Sequence, residues 1–115
     1  MPRKPASAKG SEADPLYLRI GPCRYELRTV ANLAQQHGCT GRQDYNAQRI
    51  DIDATCSGMA RLQTIWHEAL HGIYDGAGVP GAKQNEQMID AAATGILNVL
   101  VDNPWLVDEI ASYAR

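Results

Sequence analysis

The 115-residue chain is predicted to be a single α+β domain, with a small antiparallel sheet in its N-terminal half and helices after it. Two observations predict this. Residues 16–53 contain several short runs in which apolar and polar residues alternate with the period of a half-buried strand. Residues 58–113 instead carry apolar residues at three- and four-residue spacings, the stripe of an amphipathic helix.

Residues 1–14, rich in Pro, Ala, Ser, Gly and Lys, offer nothing to offset the entropy of ordering and read as a disordered tail before a domain at 15–115. Leu16, Leu18 and Ile20 alternate with Tyr17 and Arg19, Gly21-Pro22 is turn chemistry, and Cys23 to Arg28 alternates again, which makes a β-hairpin. Val30 to His37 suits a short helix ended by Gly38, and 41–44 is read as an edge strand or a loop. Gln48 to Asp53 alternates as a further strand, and Ser57 is placed to cap the helix that follows.

That helix carries Leu62, Ile65, Trp66, Ala69, Leu70 and Ile73 on one face and should stop near Asp75, before the breaker run at 76–81. A second helix is expected over about 82–101, with Met88, Ile89, Ala92, Ala93, Ile96, Val99 and Leu100 facing inward. Asn103-Pro104 opens a short third helix.

Eleven basic residues against thirteen acidic ones give a net charge of −2, and the chain after residue 14 is mildly acidic. Broad attraction to nucleic acid or to an anionic membrane needs clustered Lys and Arg, so neither partner is expected. No run is long and apolar enough to span a bilayer or to act as a secretory signal, and a cytoplasmic location is expected. Cys23, Cys39 and Cys56 form neither a CxxC pair nor a disulfide framework.

The chemistry lies in His67-Glu68-Ala69-Leu70-His71, an HExxH in the middle of the strongest helical pattern. Residues four apart stack on one helix face, so His67 and His71 can aim imidazole nitrogens at one ion, and zinc takes such ligands at about 2.0–2.1 Å. Glu68 faces the same site as a general base for a metal-activated water. Shuffling this composition yields an HExxH about 0.003 times per chain, so chance is a poor explanation. A catalytic zinc usually takes a third protein ligand. Glu86, Asp75 and His37 are the candidates, and Glu86 is the better placed, opening a helix that a Gly/Pro loop turns back against the first. Asp90, one turn further, can bond the second ring nitrogen of a ligand His.

HEALH with a glutamate on the following helix resembles the gluzincin peptidases, and Asn85-Glu86-Gln87-Met88-Ile89-Asp90 is similar to their NExxSD element. The small size and short interhelical loop look more like the minimal zincins of the ImmA/IrrE type, many of them carried by phages and mobile elements. The resemblance implies a zincin-like helical half, zinc at His67, His71 and Glu86, Glu68 as general base, Asp90 behind a ligand His, and carriage by a phage or prophage. The metzincin extension is absent, since Tyr74 and Ala77 stand where its Gly and His would be.

A zinc metallopeptidase acting on a peptide or protein substrate is therefore expected, and a zinc-stabilised binding domain without turnover is the alternative. Tyr74 and Tyr45 are candidate donors to the oxyanion, although no motif marks either and packing would account for both. The alternating residues 41–53 offer an open strand edge for an extended substrate.

Overall fold

The computed structural model describes residues 15–114. The tail expected over residues 1–14 lies outside the described residues. Strands β1 (Leu16–Ile20) and β2 (Cys23–Val30) form the expected hairpin, with Leu16 opposite Leu27 and Ile20 opposite Cys23. Gly21 takes the left-handed backbone (φ 58°) that this tight turn requires. Helix α1 (Leu33–His37) follows and ends at Gly38, as expected. The segment left open between strand and loop is strand β3 (Gly41–Asp44), paired antiparallel with β4 (Arg49–Asp53).

The sheet is mixed, which corrects the expectation of an antiparallel one. Its order is β1-β2-β4-β3, and β4 runs parallel to β2, with Leu27 opposite Ile50 and Thr29 opposite Ile52. Alternation reveals which face a side chain takes and says nothing of strand direction. The physical reason for β4's place is its burial on both faces. Ile50 and Ile52 join Tyr25 in the core, while Asp53 lies buried at the strand's end. On the opposite face Asp51 is buried beneath Arg28, Arg42 and Arg49, whose Nε atoms lie 3.9, 3.2 and 3.5 Å from its carboxylate. A strand covered on both faces belongs inside a sheet, and that leaves β3 at the edge.

Asp53 also ties α1 to the sheet. Its Oδ1 accepts from the Ala34 N–H at 3.0 Å and its Oδ2 accepts from the Thr55 N–H and hydroxyl. These bonds, led by that from the Thr55 side chain, hold the carboxyl below the usual carboxylate range.

Helix α2 (Gly58–Gly76) lies across the inner face of the sheet. A Cβ at Gly72 would stand 3.0 Å from Ile20 Cδ1 and 3.3 Å from the Tyr25 ring, so a larger residue would crowd the contact between helix and sheet. Ser57 precedes the helix without bonding it through its side chain. A single 3₁₀ turn (Gly81–Lys83) leads to helix α3 (Glu86–Asp102), and α4 (Pro104–Ala111) closes the fold. The inward face of α3 is narrower than its sequence suggests. Ile89, Ala93 and Leu97 are buried, whereas Met88 and Val99 are 68% and 51% exposed. Its buried stripe packs on Leu70 and Trp66 of α2, so that stripe is covered and the next lies open. No helix among the described residues is long and apolar enough to cross a membrane.

Candidate metal centre

His67 and His71 stand one turn apart on α2, with ring centroids 5.2 Å apart in a T-shaped arrangement. Asn85 caps α3, its Oδ1 accepting from the Met88 N–H at 3.0 Å, and this makes Glu86 the first helical residue. The chain reversal at 77–85 then sets the Glu86 carboxylate over both rings. Its Oε1 is 2.5 Å from His71 Nε2 and its Oε2 is 3.0 Å from His67 Nε2. One donor atom from each of His67, His71 and Glu86 lies within 4.8 Å of the other two. The imidazoles are largely covered, while Glu86 forms the exposed lip.

The chemistry of this donor set fits a divalent metal. Both rings present Nε2 to Glu86 and turn Nδ1 toward an oxygen behind them. His67 Nδ1 lies 3.4 Å from Asp90 Oδ1, and His71 Nδ1 lies 2.6 Å from Gln84 Oε1. The Nε2 atoms of both rings and the Glu86 carboxylate thus converge on one point, the arrangement in which two imidazoles and a carboxylate can share a divalent cation. Two imidazoles and a carboxylate are a zinc ligand set that leaves a coordination position free.

Glu68 is next to His67 in the chain and is only 8% exposed. Burial pushes its carboxyl above the ordinary range, Glu86 pushes the same way, and the two histidines oppose the shift. Beside it opens a cleft of about 660 Å³. Thr40, Gly41 and Arg42 wall one side, Thr64 and Glu68 lie on α2, and Glu86 and Asp90 form the far side. Among the described residues strand β3 is an edge strand bonded only to β4, so the wall of the cleft is a strand with one free side there. Gln43 anchors it, donating from Nε2 to the hydroxyl of buried Tyr25 at 3.1 Å. Burial raises the Tyr25 phenol above its usual range despite that bond.

The structure therefore brings together His67, Glu68, His71, Glu86 and Asp90. Tyr45 lies in the β3–β4 turn beside Arg42, Arg49 and Asp75, and Tyr74 faces Val79, Gln84 and Met88. Neither tyrosine is among the residues lining the cleft. His37 is exposed at the end of α1, outside the trio. Asp75 is outside it too, and its Oδ1 accepts from Gln84 Nε2 at 2.7 Å. Gln84 escaped the sequence reading. Its place two residues before Glu86, just after the breaker run, was the signal that it must lie near the second histidine. Comparison of the chain with protein-family models, with curated proteins and with solved structures found no match.

Proposed function

We propose that the chain is a zinc-dependent metallopeptidase, with His67, His71 and Glu86 as ligands and Glu68 as the general base. The observation that carries this reading is the convergence of three donor atoms within 4.8 Å beside a buried carboxyl group. When bound, zinc supplies Lewis-acid chemistry and brings the pKa of a water to about 7. Two largely covered imidazoles and an exposed carboxylate, His67, His71 and Glu86, would hold such an ion.

Glu68 is the group that moves the proton. Its raised affinity for protons, caused chiefly by burial, brings it nearer to neutral pH, where a base can both accept a proton and return it. It takes one from the attacking water and delivers it to the leaving amine. Asp90 Oδ1, 3.4 Å from His67 Nδ1, is placed to orient that ring with Nε2 toward the centre. The free edge of β3 offers backbone N–H and C=O groups to an extended peptide, and Gly41 keeps side-chain bulk away from Glu68.

Metal content by elemental mass spectrometry, read together with peptidase assays, tests the proposal. About one zinc per chain is expected in the wild type, lost in Glu86→Ala and kept in Asp75→Ala. Peptide turnover should fall steeply in Glu68→Gln while the zinc stays. Zinc without turnover of any peptide in a broad library would favour a zinc-stabilised binding domain. No zinc after reconstitution would overturn the proposal.

A further inference from the structure

The loop between α2 and α3 does more than reverse the chain. Its backbone is closed on itself. The Ala77, Gly78 and Val79 N–H groups bond back to the carbonyls of Ile73, Asp75 and Tyr74, and the Lys83 and Gln84 N–H groups bond to those of Pro80 and Gly81. Gln84, partly buried, ends this loop and sends its side chain back toward α2. Its Nε2 donates to Asp75 Oδ1 at 2.7 Å and to the Val79 carbonyl at 2.8 Å.

Those two bonds settle which way the amide faces. A carboxylate and a carbonyl only accept, so the Gln84 nitrogen must lie toward them and its oxygen toward His71. His71 Nδ1, 2.6 Å from that oxygen, therefore carries a proton, which leaves Nε2, the atom facing Glu86, as the ring nitrogen available to a metal. Both amide hydrogens are committed, so neither the amide nor the imidazole can rotate without leaving a partly buried donor unpaired.

We propose that Gln84 is a positioning residue for the second histidine, fixing its tautomer and ring orientation, with Asp75 and the Val79 carbonyl as its supports. Asp75 serves the centre from one bond further back than a ligand would. The two histidines thus have unlike neighbours behind them, His67 the Asp90 carboxylate on α3 at 3.4 Å and His71 a hydrogen-bonded amide on the interhelical loop. A neutral amide orients the ring without adding a further negative charge beside Glu86. The inference rests on the reading of His67, His71 and Glu86 as metal ligands.

Zinc affinity, measured by competition with a chromogenic chelator, should fall about 10–100-fold in Gln84→Ala and in the shape-preserving Gln84→Met, and by less in Asp75→Ala. Lys83→Ala, a neighbour outside the chain of bonds, should bind zinc like the wild type. In metal-free protein labelled with ¹⁵N-histidine, a slowly exchanging Nδ1 proton is expected for His71 and should be lost in both Gln84 variants, while the His67 signals persist. A merely structural role would not move that signal selectively. Wild-type zinc affinity in both Gln84 variants, or an unchanged His71 Nδ1 proton, would overturn the inference. A wild type that binds no zinc would sink the metal reading instead, and the Nδ1 proton would still decide whether Gln84 orients the ring.

Discussion

Gly41 on the edge strand and Glu68 on helix α2 are in such close register that a Cβ on the glycine would stand 3.2 Å from Glu68 Cγ. The same Cβ would stand 2.5 Å from Thr64 Cγ2, and Thr64 cannot swing aside freely because its hydroxyl donates to the Ala60 carbonyl at 2.9 Å. Gly41→Ala is expected to destabilise the fold by about 1–3 kcal/mol through overpacking and to open the cleft wall. Thr64→Ser removes Cγ2 and keeps the hydroxyl, so the double variant should recover part of the loss in denaturant melts. Additive effects of the two changes would argue against this contact.

Glu68→Gln keeps the shape of the buried side chain and removes its proton affinity. Peptide hydrolysis at saturating zinc is expected to fall about 10²–10⁴-fold, with the zinc stoichiometry unchanged. Loss of the metal along with activity would show instead that Glu68 helps to bind the ion.

Asp90→Ala leaves His67 Nδ1 without its carboxylate partner. Zinc affinity should drop about 10–100-fold, with the Glu86→Ala variant showing the larger loss in the same titration. Equal losses in the two would mean that Asp90 is itself a ligand.

Asp53 gives the fold a definite pH response. Bonds from Thr55 and Ala34 depress its carboxyl in the native state, so the stability it contributes is present above the ordinary carboxylate pKa and is lost as pH falls through the depressed one. Asp53→Asn should therefore melt below the wild type at neutral pH, with the difference shrinking in acid. A difference independent of pH would show that lost packing, and not the ionised carboxylate, is responsible.

The face of α3 makes a clean pair of substitutions. Ile89→Ala is expected to cost about 2–5 kcal/mol, because a fully enclosed side chain is removed from contact with Leu70 and Ala93. Met88→Gln, one residue earlier and mostly exposed, should leave the stability within about 0.5 kcal/mol. Denaturant midpoints of the two variants check the helix rotation directly.

Much of this arrangement was legible from local signals. HExxH at helical spacing, Glu86 just after a breaker run, and the Gly21-Pro22 turn each depend on neighbours in the chain, whereas the starts of two helices moved, from Val30 to Leu33 and from 82 to Glu86. What was hidden depends on partners far away. The parallel β2–β4 pairing joins residues whose own alternation is indifferent to direction, so the sheet was expected to be antiparallel. The rotation of α3 could not be read because Met88 and Ile89 are equally apolar and only the position of α2 chooses between them. Gln84 matters through the direction of its amide, which no residue type announces.

His67 and Glu86 are only nineteen residues apart, and His71 lies between them. The whole donor set thus belongs to one helix–loop–helix segment, whereas the wall facing Glu68 is brought in from residue 41 and the centre of the sheet joins residue 26 to residue 49. A cation gripped by these donors would close a short loop at small entropic cost, before any long-range pairing is complete. It would act as a staple on the order of assembly, holding the helical hairpin together so that the sheet, synthesised first, has a ready-made surface against which to settle.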